Sequence, residues 1–243
     1  MVAYRYATER RDHSDLASGN VLRSAPGHPG FPVRLADELF QRAAAHLPAA
    51  PVSLWDPCCG SGHLATAVGL LHRARLCRLL ATDTDPAALS IAERNLALLT
   101  LSGLAERESG LRDDAAAFGK PALLERADTA ARLAERLRKS GGDLDRTVRA
   151  GDAFDPVAPE HRVDLVLTDV PYGGLTAFAG AVPAGEPVPA LMRALAAVVP
   201  AHAVLAVTAR TRKVPLPEGA RALERIRVGN RAAALVRASE AAV

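Results

Sequence analysis

Apolar residues occur in short continuous runs, and these runs alternate with longer stretches in which apolar residues recur every three or four positions. The runs typical of buried strands lie at 52–55, 79–83, 147–150, 163–169 and 202–208. The stretches with the spacing of amphipathic helices lie at 33–46, 63–71, 86–101 and 188–199. This alternation predicts an α/β protein with a mostly parallel sheet.

The C-terminal part of the chain has the signals of a β-hairpin. Stretches at 222–228 and 231–237 flank Gly229-Asn230, two residue types that tolerate the positive φ angles of tight hairpin turns. We therefore expect five strands separated by helices, followed by an antiparallel pair.

A glycine turn follows the first strand. Gly60 and Gly62 let the backbone turn sharply into the helix at 63–71, whose free N–H groups would face a ligand. With Asp83 about twenty residues further on, the pattern also fits a nicotinamide cofactor. However, Asp56 at the end of the strand would repel a pyrophosphate, and it suits a cationic ligand better.

The stretch Asp56-Pro-Cys-Cys-Gly-Ser-Gly62 resembles the first motif of class I S-adenosylmethionine-dependent methyltransferases. The resemblance implies a Rossmann-like, seven-stranded, mostly parallel sheet with a C-terminal antiparallel hairpin. It also implies that S-adenosylmethionine is bound, with its ribose hydroxyls on Asp83 and its adenine near Asp152. The residues that the resemblance assigns to this cofactor are Asp56, Cys59, Gly60, Ser61, Gly62, Asp83, Thr84, Asp152, Ala153 and Asp169.

A second motif lies at the end of the fourth strand. Asp169-Val170-Pro171-Tyr172 resembles the Asp/Asn-Pro-Pro-Tyr/Phe motif of methyltransferases that modify amino groups. The resemblance implies catalytic roles for Asp169, Pro171 and Tyr172. The carboxylate of Asp169 and a backbone carbonyl would hold the amino nitrogen near the methyl group, and Tyr172 would stack on the base. Val170 departs from the motif, and without a proline there the loop is less stiff.

Several substrates fit such a site: guanine in RNA, adenine in DNA and a glutamine amide of a protein. Basic residues favour a nucleic acid, and we expect Arg210, Arg212 and Lys213 to contact RNA. The stretch 55–64 and the hairpin residues 224–234 resemble the ribosomal RNA guanine methyltransferases of avilamycin resistance. That resemblance implies methylation of a guanine of 23S ribosomal RNA, which we place at an exocyclic amino group. A nicotinamide oxidoreductase and an inactive RNA-binding fold remain alternatives.

We divide the chain into residues 1–50, a cap or substrate-facing segment, and residues 51–243, the methyltransferase domain. A helical insertion is expected at about 103–142, with one long charged helix at 120–139. The aromatic and basic residues at 4–11 could contact bases and phosphates, but a frayed terminus is the commoner case.

The composition of the chain bears on its location and on metal binding. The 243 residues are 49% hydrophobic, carry a formal charge of +3 and have neither an apolar run long enough to span a membrane nor an apolar signal core. The three cysteines lack the spacing of a zinc site or a disulfide framework. We therefore expect a cytoplasmic monomer that binds no metal.

Overall fold

The computed structural model of the chain describes residues 4–170 and 186–242. The strands are β1 (Val52–Asp56), β2 (Leu76–Asp83), β3 (Asp145–Ala150), β4 (Leu165–Asp169), β5 (Val204–Ala209), β6 (Ala222–Val228) and β7 (Arg231–Arg237). The helices are α1 (Val33–Ala44), α2 (His63–Leu71), α3 (Pro86–Leu96), α4 (Leu101–Phe118), α5 (Ala122–Lys139), α6 (Pro187–Val198) and α7 (Ala238–Ala241). Short 3₁₀ turns lie at Ser14–Leu16, Arg73–Arg75 and Ala97–Leu99.

The strands form one seven-stranded sheet in the order β3-β2-β1-β4-β5-β7-β6. β1 pairs in parallel with both β2 and β4, and β7 lies antiparallel between β5 and β6. The order of the parallel strands reverses between β1 and β4, which is where open α/β sheets bind ligands. The predicted seven-stranded class I methyltransferase sheet with its C-terminal antiparallel hairpin is thus confirmed.

Hydrophobic residues cover both faces of the sheet. One face packs against α1, α2 and the end of α3, with Phe40 and Leu96 almost completely buried. The other face packs against α6 and α7, with Trp55 and Leu195 in its core. The central strands β1 and β5 are buried along their whole length, so their continuous apolar runs follow from burial on both sides.

Capping residues mark the start of α3 and both ends of α4. Asp85 precedes α3, its side chain accepts a hydrogen bond from the backbone N–H of Ala87, and Pro86 occupies the first helical position. The hydroxyl of Thr100 caps α4 in the same way, and Gly119 ends that helix in a left-handed conformation.

The stretch in which an insertion was expected contains two helices. We predicted the second, α5, but not α4. Buried residues of α4 are sparse, namely Gly103, Leu104, Leu111 and Ala115, so its apolar face gives a weak periodic signal.

The start of the chain is anchored, so the expectation of a frayed terminus is wrong for the described residues. Glu38 of α1 is fully buried, and its carboxylate accepts hydrogen bonds from the backbone N–H groups of Arg5, Tyr6 and Ala7. Arg34 donates to the carbonyls of residues 7 and 8 and lies 3.9 Å from the ring centroid of Tyr4. The segment before α1 is therefore fixed to the domain by buried polar contacts.

Within the two described ranges, each helix is too short or too polar to cross a lipid bilayer.

The two glycines of the turn before α2 give a test of packing. Both have positive φ angles, +51° at Gly60 and +70° at Gly62. A Cβ on Gly60 would have no neighbour within 4 Å, whereas one on Gly62 would lie 2.6 Å from Leu96 Cδ1 and 3.1 Å from the backbone Cα of Ala92. We expect Gly60→Ala to lower the free energy of unfolding by about 1–2 kcal/mol through backbone strain.

Gly62→Ala should lower the free energy of unfolding by ~1–3 kcal/mol more than Gly60→Ala does, because α2 and α3 must move apart. Urea unfolding of both variants measures the difference. Equal losses of unfolding free energy in the two variants would show that the close packing of α2 on α3 does not require a glycine at position 62.

Candidate active site at the carboxyl ends of the parallel strands

Three strands of the parallel sheet end in aspartates at the same edge. These are Asp56 of β1, Asp83 of β2 and Asp169 of β4. Parallel pairing of β1 with both neighbours places the three strand ends side by side. The carboxylates interact, because the negative charges of Asp83 and Asp169 both raise the pKa of Asp56. The structure thus brings together three of the residues predicted from the sequence.

The glycine turn orients one of these carboxylates. The backbone N–H of Cys59 donates to the carbonyl of Thr82 at 3.0 Å, which fixes the turn to the end of β2. The N–H of Gly60 then donates to one carboxylate oxygen of Asp83 at 2.8 Å, and the N–H of Asp85 donates to the other at 3.0 Å. Asp83 is half-buried and is held in one orientation, so it is prepared to accept hydrogen bonds from a ligand.

Asp56 is the most strongly perturbed carboxyl group at this edge. It is 1% exposed, and its Oδ1 has no hydrogen-bond partner among the described residues. Burial raises its pKa to about 7, against the opposing effect of the Thr168 hydroxyl and the Cys58 backbone amide. A buried, unpartnered carboxylate oxygen beside two further carboxylates fits a cation better than a phosphate.

The remaining residues expected to contact the cofactor surround this edge. Thr84 is exposed directly after β2, and Ala153 is buried after β3. Asp152 accepts a hydrogen bond from the N–H of Phe154 at 2.8 Å, which closes a tight turn. The carbonyl of Ser61 accepts from the Asn95 amide at 2.8 Å. The donors and acceptors present fit S-adenosylmethionine, because its ammonium needs an anionic partner and its ribose needs a paired acceptor.

Asp169 forms an ion pair with Arg231, the first residue of β7. Burial raises the pKa of Asp169, and the positive charges of Arg231 and Arg210 oppose that rise. Arg231 is 6% exposed, and its guanidinium carbon lies 4.8 Å from the ring centroid of Phe31. Asp169, which was predicted to be catalytic, is therefore paired with a buried arginine.

Pro171 and Tyr172, the other predicted catalytic residues, lie outside the described residues. Val170, which replaces a proline of the motif, is buried, and its N–H donates to the carbonyl of Thr208 at 2.9 Å. A proline has no N–H and could not make this bond. The departure from the motif thus extends the pairing of β4 with β5 by one residue.

The predicted RNA contacts follow β5. Arg210, Arg212 and Lys213 are all exposed, and Arg210 is close enough to Asp169 to affect its pKa. These cations adjoin the carboxylate edge on the side of β5, where they could meet phosphates of a substrate bound at that edge.

Sequence reasoning missed three residues that organise the site. His63 accepts a hydrogen bond from the N–H of Phe31 at 3.2 Å, and Asn95 accepts from the N–H of Arg23 at 2.7 Å. Asn95 was detectable, because it is a polar residue on the otherwise apolar face of α3. Arg231 was not singled out from the sequence, since its pairing with Asp169 depends on the register of the hairpin.

Comparisons with known proteins give a family match over most of the chain. A family model described as rRNA methyltransferase AviRa matches residues 2–231. The chain is 54% identical over 246 residues to a Streptomyces viridochromogenes protein named 23S rRNA (guanine(2535)-N(1))-methyltransferase, covering 99% of this chain and 98% of the relative.

Solved structures give the same picture. The rRNA methyltransferase aviRa of Streptomyces viridochromogenes superimposes with a TM-score of 0.92 at 54% identity, over 99% of this chain and 98% of that one. An Escherichia coli protein named as a methyltransferase gives a TM-score of 0.50 at 15% identity, over 86% of this chain and 88% of that one, and shares the fold.

The raised pKa of Asp56 predicts how stability depends on pH. The unfolded chain loses this proton near pH ~4, whereas the folded chain keeps it to about pH 7. Stability therefore falls as the pH rises through that window, because the unfolded state gains free energy by releasing a proton that the folded state keeps. Asp56→Asn cannot ionise and should not lose stability in this window. Its free energy of unfolding should equal that of the parent at pH 4 and exceed it by up to ~4 kcal/mol at pH 8.

Thermal unfolding of both proteins between pH 4 and 8 measures this difference. The matched control is Asp155→Asn, which alters an exposed carboxylate and should change stability little at any pH. A constant difference between Asp56→Asn and the parent across the range would contradict the proposed charge burial.

Proposed function

Since the chain belongs to the AviRa family of ribosomal RNA methyltransferases, we propose that it methylates ring nitrogen N1 of a guanine in 23S ribosomal RNA, with S-adenosylmethionine as donor. The observation that carries the proposal is the 54% identity, over 99% of this chain, to the Streptomyces enzyme named for that reaction. Avilamycin resistance would follow if the added methyl group blocks the binding site of the drug.

The methylated nitrogen named for the relative differs from the one that we expected from the sequence. The motif at Asp169 suggested an exocyclic amino group, but the name of the relative specifies N1, so that expectation is wrong for the relative. We propose N1 for this chain as well. Both atoms lie on the Watson–Crick edge of guanine, which explains why a clamp for one resembles a clamp for the other.

The carboxylate edge would hold the methyl donor. We assign its ammonium to Asp56, whose unpartnered buried oxygen needs a cation, and its ribose hydroxyls to Asp83, whose two oxygens are oriented by backbone amides. Asp152 and Ala153 would border the adenine. When bound, S-adenosylmethionine supplies a methyl group that N1 takes as the bond from carbon to sulfur breaks, with the electron pair remaining on sulfur.

Asp169 would act on the substrate. The lone pair of N1 in neutral guanine is delocalised into the ring, and it becomes a good nucleophile only when N1–H loses its proton. Asp169 lies at the end of β4, and its raised pKa makes it a better proton acceptor than an exposed carboxylate. We therefore assign it as the general base.

A guanine must leave its helix or loop to reach this edge, because the deep groove of A-form RNA hides base atoms. Exposed Arg210, Arg212 and Lys213 would bind the phosphates that flank the extruded nucleotide. Stacking of Tyr172 on the base and a backbone contact at Pro171 stay predictions from the motif.

Replacing the target guanine by inosine tests the modified atom. Inosine keeps N1–H and O6 but lacks the exocyclic amino group. An enzyme specific for N1 should methylate a fragment of 23S RNA that contains inosine at the target position, and mass spectrometry of the digested fragment should locate the methyl group on N1.

Adenosine at the same position is the control and should remain unmodified. Methylation of the guanine fragment with none of the inosine fragment would point back to the exocyclic nitrogen. Failure to methylate any ribosomal RNA would reject the proposal as a whole.

Binding of the donor should depend on Asp83. Loss of its charged hydrogen bonds, worth ~1.5–3 kcal/mol, should weaken S-adenosylmethionine binding to Asp83→Ala by about ten- to a hundredfold in calorimetry. The control is Asp85→Ala in the same loop, which removes the cap of α3 and should cost ~1 kcal/mol of stability without changing affinity. Equal affinities of the parent and Asp83→Ala would rule out this role.

A further inference from the structure

The position of Arg231 follows from the direction of β7. Because β7 runs antiparallel to β5, it begins at the edge where the parallel strands end, and Ala232 lies opposite Ala209, the last residue of β5. Arg231 precedes Ala232, so the hairpin turn delivers its side chain to the edge that carries Asp169. The side chain is almost completely buried there.

Arg231 and Asp169 each have hydrogen-bonding capacity left over. Nη1 of Arg231 donates to Oδ1 of Asp169, and no other described residue accepts a hydrogen bond from this guanidinium. Likewise, no described residue donates to Oδ2 of Asp169. The ring of Phe31 covers the guanidinium at 4.8 Å and helps to fix its plane.

The charged groups around this pair do not replace either partner. Arg210 and Arg231 both lower the pKa of Asp169, and Asp169 raises that of Asp56. Arg210 is exposed, so Arg231 is the buried cation of the group. A guanidinium has five N–H donors in a fixed plane, and among the described residues only Asp169 accepts from that of Arg231, so other donors of the group are available to a ligand.

A carboxylate oxygen next to a guanidinium N–H forms an acceptor beside a donor. Guanine presents the complementary pair, since N1–H is a donor and the neighbouring O6 is an acceptor. We propose that Arg231 is the residue that recognises guanine, donating a hydrogen bond to O6 while Asp169 accepts the N1 proton. This inference rests on the proposed function and adds a substrate contact to it.

The same contact would assist the reaction. When the N1 proton passes to Asp169, the carboxylate becomes neutral and the base becomes an anion whose charge is shared between N1 and O6. A cation fixed at O6 stabilises that charge where it develops. Adenine has an acceptor at N1 and an amino donor at position 6, so it would face Arg231 donor to donor and be rejected.

A cycle of one protein change and one base change tests the contact. The RNA is a 23S fragment containing the nucleotide that the parent methylates, with either guanine or 2-aminopurine at that position. 2-Aminopurine lacks both O6 and N1–H, and the comparison of parent with variant isolates the part of the preference that depends on Arg231. Its affinity is measured with S-adenosylhomocysteine present, so that no reaction occurs, for the parent, Arg231→Gln and Arg231→Lys. Arg227→Gln is the matched control, because Arg227 is an exposed residue of the same hairpin.

The parent and Arg227→Gln should prefer guanine over 2-aminopurine by at least about tenfold, because 2-aminopurine offers neither the acceptor for Arg231 nor the donor for Asp169. In Arg231→Gln, the ratio of the affinities for guanine and 2-aminopurine should be at least about fivefold smaller than in the parent. A smaller change in that ratio would overturn the inference. Arg231→Lys keeps the charge beside Asp169, so it tests the contact if Arg231→Gln does not fold. It should lie between the parent and Arg231→Gln, and full preference in the lysine variant would also overturn the inference.

The result is separable from that of the proposed function. A parent that methylates no guanine at N1 refutes the proposed function itself. A parent that methylates N1, together with an Arg231→Gln variant that keeps the full preference for guanine, refutes only the role of Arg231.

Discussion

Three carboxyl groups meet at one edge of the sheet, and much of the structure around them holds them in place or offsets their charge. Asp56, Asp83 and Asp169 end adjacent parallel strands, and burial together with the charges of the other two carboxylates raises the pKa of Asp56. The three carboxyl groups have different partners: backbone amides hold Asp83, Arg231 pairs with Asp169, and one oxygen of Asp56 has no hydrogen-bond partner within residues 4–170 and 186–242. The three carboxyl groups thus differ in their partners, and the Oδ1 atom of Asp56 is the one on which a cationic ligand group would have most effect.

Both ends of the chain contribute to this arrangement. The N-terminal segment supplies Phe31, which accepts the guanidinium of Arg231 on its ring and donates a backbone hydrogen bond to His63 at the start of α2. Further out, Arg42 of α1 pairs with Glu224 of β6, so the same segment is tied to the hairpin a second time. The residues before β1 are therefore part of the support of the site, although most of its charged groups come from the sheet.

Local features were predictable from the sequence, and features that depend on long-range register were not. The hairpin and the glycine turn were found because Gly229-Asn230 and Gly60 mark their own geometry. The pairing of Asp169 with Arg231 joins residues that are 62 positions apart, and only the antiparallel insertion of β7 brings them together. Glu38 was not predicted to anchor the chain start, because an acid in an amphipathic helix normally faces solvent.

The two cysteines of the glycine turn also lie within reach of these charges. Burial raises the pKa of both Cys58 and Cys59 well above the usual value for a thiol, and the carboxylates of Asp56 and Asp83 raise it further. The thiolate is the nucleophilic form of cysteine, and at neutral pH these two side chains keep their protons. If S-adenosylmethionine binds at this edge as proposed, the carboxylates that attract its positive charge would also keep both thiols protonated, and so would protect the protein from alkylation by its own methyl donor.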